Sequence, residues 1–331
     1  MVEKIFDQPE IYLIHVPLPE NPLKALNSYV IKTNERNLVI DTGFNRIECY
    51  EALKAGLLEL DVNIENTDFF ITHLHGDHSG LVNKIASDKS RIYMSSIDYK
   101  YLKGDIANVS WPKIEALYKE EGFPLEVIEA LKGNNQAQEF MPDELFAVET
   151  IEDGHTIVLG DLEFKCILTP GHTPGHMCLY LESHKLFFSA DHVLFDITPN
   201  ITSWYGVKDS LKDYIESLRK IENLEVEVTF PGHRASGDNM NARINEIIDH
   251  HEERLEEVVD IISKSNYQMN AYEIAQKMKW NLRGKSWNEF PINQKWFAMG
   301  EALAHLDYLY NCGQINKNID KENTIYKYTL N

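Results

Sequence analysis

Seven consecutive residues, Thr72-His73-Leu74-His75-Gly76-Asp77-His78, constrain this chain more than any others. They follow the apolar run Phe69-Phe70-Ile71, so they stand where a buried strand ends and a loop begins. Three imidazoles and one carboxylate crowded into this loop are too many polar groups for a packing role. At one strand end they point to a metal site, for one ion or two. The bland alternative, a solvated loop that happens to be rich in histidine, ranks far behind.

The rest of the chain must then supply a fold that brings further ligands to this point. Ile11 to Val16 reads as a strand, and Ser28 to Ile31 with Leu38 to Ile40 as a hairpin ending in Asp41-Thr42-Gly43. That Asp41 is either a functional carboxylate at a strand tip or a simple turn former. Ile47, Tyr50, Leu53, Leu57 and Leu60 fall at helical spacing. Asp68 to Ile71 and Arg91 to Met94 add strands, with a helical start at Leu81 between them. Strands alternating with helices imply an α/β protein with layered sheets and helices.

From about residue 96 to 145 the pattern becomes a helical insertion. Trp111-Pro112 opens one helix with Ser110 as its cap, and Leu125, Ile128 and Leu131 mark another. Its aromatics, Tyr99, Tyr101, Trp111 and Phe123, are expected in a core or in a lid over the site. Strands resume at Thr156 to Leu159 and Leu162 to Leu168. The second runs into Thr169-Pro170-Gly171-His172-Thr173-Pro174-Gly175-His176. Later strands end in Ala190-Asp191-His192 and Pro231-Gly232-His233. Four strand ends thus each deliver metal-capable side chains, which is how α/β folds assemble sites.

Beyond residue 240 come a long helix to Ile262, a short helix after Asn270, a helix over Gln294 to Cys312, and a hairpin. Three helices and a hairpin are the pattern of a winged helix. The expected division is an α/β domain carrying the metal site over 1–240 and a winged-helix-like domain over 241–331.

Bulk properties narrow the partners. A formal net charge of −20 disfavours holding nucleic acid or an anionic membrane by electrostatics. The four cysteines are scattered without a C-x-x-C, as in a reduced, cytoplasmic protein. No signal peptide or membrane-spanning stretch is read.

The H-x-H-x-D-H motif, followed by His172, Asp191 and His233 in that order, resembles the metallo-β-lactamase superfamily over residues 10 to 240. The resemblance implies an αββα sandwich with the site at one edge of two sheets. It implies one metal on His73, His75 and His172, a second on Asp77, His78 and His233, and Asp191 bridging both. An Asp at the bridging position points away from antibiotic hydrolysis and towards the glyoxalase II, lactonase and phosphodiesterase side.

Imidazole and carboxylate ligands suit zinc, and also manganese, iron or nickel. Two divalent ions about 3.5–4 Å apart would share a hydroxide able to attack an ester, thioester or lactone. Asp77 is the candidate catalytic group, as a ligand that also orients that hydroxide or passes on a proton. Asp41 and Thr72 are expected to fix ligand rotamers. His176, His192, Trp204 and Tyr205 are candidates for substrate contact or support. The alternatives are a phosphodiesterase or endoribonuclease of the same superfamily and, last, a non-enzymatic winged-helix regulator. The expected partner is a small molecule, and the tail is expected to pack on the hydrolase domain or form a homodimer interface. Nucleic acid and membrane are not expected partners.

Overall fold

Short runs of β-branched and aromatic residues set the architecture. The computed structural model describes residues 2–104, 111–131, 139–281, 286–320 and 324–331. These divide into two compact units, the first built from 1–103, 136–199 and 217–244, the second from 104–135, 200–216 and 245–331.

The first unit is a sandwich of two sheets. One has seven strands in sequence order: β1 (Val2–Phe6), β2 (Glu10–Pro17), β3 (Ala25–Lys32), β4 (Asn37–Ile40), β5 (Thr67–Ile71), β6 (Ile92–Ser95) and β7 (Glu149–Ile151). Pairing is antiparallel from β1 to β4 and parallel from β4 to β7. The other has five strands in the order β12 (Val228–Pro231), β11 (Leu186–Ala190), β10 (Met177–Leu181), β9 (Leu162–Leu168) and β8 (Thr156–Leu159). Strands β5, β10 and β11 are buried along their whole length, as covered central strands must be. The inner faces meet in one apolar core, with Tyr29, Ile31, Phe70 and Tyr93 from the first sheet and Phe164, Leu179, Phe188 and Phe230 from the second. On the outer face of the first sheet lies helix Ile47–Glu59, where Gly56 leaves room for the Ile14 side chain. This is the α/β layering expected from the strand–helix alternation.

Several elements are not evident from the sequence. Strands β1 and β7 are a five-residue edge strand and a three-residue strand with little apolar signal. Helix Ser96–Leu102 was subsumed in the insertion, although Ser95 caps it by accepting from the backbone N–H of Ile97 and Asp98.

In the second unit, helices Trp111–Glu120 and Leu125–Leu131 share a core with the C-terminal helices Ala271–Lys277 and Ile292–Asn311. Tyr118 stacks on Trp296 with ring centroids 3.8 Å apart, and Phe123 is buried in the same cluster. Asn270 forms a capping box with Glu273 at the start of the short helix expected after it. The buried Glu121 accepts from the Tyr328 hydroxyl at 2.8 Å and pairs with Lys317 at 2.6 Å, tying a helix end to the hairpin β13 (Ile315–Asp320) and β14 (Ile325–Leu330). Of the insertion expected at about 96–145, helices Trp111–Glu120 and Leu125–Leu131 thus pack within this unit, while Ser96–Leu102 belongs to the first. The proposed cap Ser110 lies outside the described residues. No helix among the described residues is long and apolar enough to cross a membrane.

Candidate metal centre

The site assembles where several strands of the first unit end. Asp41 follows β4 in a left-handed conformation (φ +60°) that Asp tolerates better than most residues. Its Oδ1 accepts from the backbone N–H of Thr72 at 2.9 Å, and its Oδ2 from the Thr72 hydroxyl at 2.8 Å. The same Oδ2 accepts from Nδ1 of His78 at 2.7 Å. With its proton committed to Asp41, the Thr72 hydroxyl is left as acceptor for Nδ1 of His73 at 3.0 Å. His233 donates its Nδ1 proton to the carbonyl of Ala25 at 2.8 Å. Three histidines are thereby fixed with Nδ1 turned to its support and Nε2 turned inward.

Those nitrogens meet the other candidates. Nδ1 of His75 lies 3.1 Å from Nε2 of His73 and 3.1 Å from Nε2 of His172. Nε2 of His78 lies 3.3 Å from Nε2 of His233. An Asp77 carboxylate oxygen is 3.4 Å from Nε2 of His233. Asp191 stands between the groups, with Oδ2 3.4 Å from Nε2 of His233 and 3.7 Å from Nε2 of His172, and Oδ1 3.6 Å from Nε2 of His78. Ligand-capable atoms gather as His73, His75 and His172, as Asp77, His78 and His233, and as His73, His78 and Asp191. All seven residues singled out in the sequence therefore come together. Gly232 is obligatory here, because a Cβ would lie 2.5 Å from Oδ1 of Asp191 and 3.0 Å from the His78 ring.

The donor set fits cations. Facing lone pairs at 3.1–3.3 Å repel unless a proton or metal lies between them. Oδ1 of Asp191 is buried without a hydrogen-bond donor. The electrostatics agree. Burial, reinforced by the neighbouring histidines, pushes His75 down to about 3 and His73 well below the usual imidazole range, so both present lone pairs. Burial opposes a charge on His233 also, but Asp191 and Asp77 raise it to about 10. Asp77 is held at about 2, burial being outweighed by His78 and His233. Three buried carboxylates thus demand positive charge, which divalent ions would supply.

The remaining candidates are placed differently. Thr72 and Asp41 are hydrogen-bonded to each other and to the rings of His73 and His78. His176 binds Thr169 through Nδ1 at 2.9 Å, and its ring backs His73 at 5.1 Å. His192 is buried 5.8 Å from the His176 ring, and burial pushes it down to about 3. Both stand behind the ligand cluster and outside its ligand groups. Trp204 and Tyr205 belong to the second unit, where the Lys113 ammonium lies 5.7 Å from the Tyr205 ring centre.

Several residues absent from the sequence reading hold the site. Asn27 donates to the carbonyls of Pro231 and Arg234 at 3.0 and 2.8 Å, and the Tyr29 hydroxyl donates to that of Pro231 at 2.6 Å. Ser217 donates to the carbonyl of Pro170 at 2.8 Å. Asp98 is buried between two ligand-bearing loops. Only Asp98 had a local signal, the Ser95-x-x-Asp98 spacing of a helix start.

The sequence from 23 to 233, which spans every one of the seven residues, matches the family model of the metallo-beta-lactamase superfamily. The chain belongs to that superfamily. It is a metal-dependent hydrolase of the metallo-beta-lactamase fold, and residues 288–330 match the metallo-beta-lactamase-like C-terminal domain. It is 29% identical over 267 residues to a beta-lactamase-like protein 2 homolog of Caenorhabditis elegans, covering 80% of this chain and 74% of that one. It is 26% identical to the probable metallo-hydrolase YqjP of Bacillus subtilis, over 91% of this chain and 92% of that protein. It is 27% identical to an atrochrysone carboxyl ACP thioesterase of Aspergillus fumigatus, over 72% of this chain but only 59% of that protein's length. Among solved structures, a beta-lactamase domain protein from Burkholderia ambifaria superposes with a TM-score of 0.83 at 21% identity, covering 100% of this chain and 94% of that one.

Proposed function

We propose that this chain is a binuclear metal-dependent hydrolase of a small ester, thioester or lactone. The observation that carries the reading is Asp191, whose two oxygens face histidines of both ligand groups at 3.4–3.7 Å. A carboxylate so placed would offer an oxygen to each of two cations. His73, His75 and His172 would hold one ion, and Asp77, His78 and His233 the other, with zinc the first choice among zinc, manganese, iron and nickel. Bound there, divalent cations would lower the pKa of a water and steady the negative charge that grows on the attacked carbonyl oxygen.

The chain's own groups do the rest. Asp77 is ionised at neutral pH, so its free oxygen can take a proton and release it to the leaving group. Asp41 and Thr72 keep His73 and His78 in one tautomer throughout. The likeness to a named thioesterase supports the thioester member of the class. A net charge of −20 argues against RNA as substrate. The apolar face of helix Ile292–Asn311, buried from Ala298 to Leu306, supports a packing rather than a recognition role for the winged-helix-like tail. We place the enzyme in the cytoplasm on its cysteine usage, all of it unpaired.

The test is turnover by metal-reconstituted protein on a thioester, a lactone and an RNA oligomer. Thioester or lactone cleavage that disappears in His75→Ala supports the reading. RNA cleavage lost in the same variant, without ester turnover, overturns it in favour of the nuclease.

A further inference from the structure

Asp98 is fully buried in the first unit. Its carboxylate accepts three hydrogen bonds, all from the two loops that carry His73, His75 and His172. Oδ2 accepts from the backbone N–H of Leu74, between the first two histidines, at 2.9 Å. The same oxygen accepts from the Thr173 hydroxyl, beside His172, at 2.7 Å. Oδ1 accepts from the backbone N–H of Gly175 at 2.6 Å. The contact is close enough that a Cβ on Gly175 would lie 2.8 Å from Oδ1 of Asp98, 2.5 Å from its backbone nitrogen and 2.4 Å from the Ser95 hydroxyl.

We propose that Asp98 is a positioning residue that fastens the His73–His75 loop to the His172 loop and so sets the geometry of one ligand group. This rests on the two-ion reading above. The other group has separate supports: His78 is held by Asp41, and His233 by the carbonyl of Ala25. The clamp is therefore selective. Loosening it should spread His73, His75 and His172 while leaving Asp77, His78 and His233 in place.

Helix Ser96–Leu102 explains how the carboxylate arrives there. Ser95 caps it, leaving Asp98 in the first turn beside the strand end of β6. A carboxylate is needed because all three partners are donors. An amide of the same shape would set its own N–H₂ against one of them, leaving a buried donor unmatched.

The test is stepwise cobalt(II) binding to the metal-free full chain, read by chelator competition. The two equivalents are assigned with His172→Ala and His233→Ala, each of which should remove one. In Asp98→Asn the equivalent that depends on His172 should weaken roughly 10–100-fold, with the His233-dependent one unchanged within about twofold. Thr173→Val, a gentler cut to the same clamp, should shift the same equivalent by a smaller factor. Asp68→Asn, which breaks a buried ion pair with Arg36 and Arg91 away from these loops, should lower Tm without this selectivity. A wild-type chain that binds fewer than two equivalents overturns the two-ion reading and the clamp with it. Two wild-type equivalents that Asp98→Asn and Thr173→Val leave unchanged, or weaken equally, overturn the clamp alone.

Discussion

Nδ1 of His78 donates to the carboxylate of Asp41 at 2.7 Å, although the two residues follow different strands of the sheet. The bond joins the end of β4 to the end of β5, which pair in parallel and so finish at one edge. Replacing Asp41 by Asn keeps the shape but removes the charge behind the histidine. The metal equivalent held with His78 should then bind roughly 10–100-fold more weakly, as measured by zinc competition against a chelator. Unchanged affinity would show that Asp41 is only a turn former.

Asn27 joins β3 to the loop that carries His233, through two side-chain hydrogen bonds to buried carbonyls. Asn27→Ala should cost about 1–3 kcal/mol in urea unfolding, from two lost hydrogen bonds at about 0.5–1.5 kcal/mol each. Tyr29→Phe, which removes one bond to the Pro231 carbonyl, should cost about 0.5–1.5 kcal/mol.

The cysteines should divide sharply in reactivity. Burial pushes the thiols of Cys166 and Cys178 up to about 12 and that of Cys49 to about 11, whereas Cys312 is exposed. A disulfide exchange reagent at pH 8 should therefore titrate one thiol in the native chain and four in denaturant. More than one fast native thiol would contradict the burial of this set.

Asp307 gives the second unit a pH-dependent penalty. Burial raises its carboxyl to about 6, against the opposing bond from the Ser203 hydroxyl at 2.7 Å. The folded state thus binds this proton more tightly than the unfolded chain does. Its contribution is full below about pH 4 and is lost as pH rises towards 6. Asp307→Asn should match wild type near pH 4 and be more stable at pH 7 by up to about 3 kcal/mol, compared by denaturant midpoints at the two pH values. An Asn variant less stable at pH 7 would reverse the sign and contradict this account.

Much of this was legible in the residues themselves. The candidate metal ligands announce themselves because imidazoles and carboxylates at strand ends have few competing explanations, and all seven converge in space. The covered strands β5, β10 and β11 are built on short apolar runs, and the Asn270 capping box is a four-residue pattern. What stayed hidden depends on contacts between distant segments. Asn27 and Pro231 are more than two hundred residues apart in the chain, and nothing local marks Asn27 as a support. Asp98 reads as an ordinary first-turn acid of a helix until the fold brings Leu74, Thr173 and Gly175 to it. The helices at 111–131 look like an insertion because sequence order places them between strands. Their apolar stripes, led by Tyr118, Phe123 and Leu131, find their core with Met299 and Leu303 instead.

The central claim is a hydrolase that needs two cations held by one set of seven residues. It is tested most directly by adding zinc stepwise to the metal-free full chain while following hydrolysis of a thioester. The rate should climb to a plateau at two equivalents per chain. A plateau at one equivalent, or hydrolysis that proceeds without added metal in the presence of a chelator, would contradict it.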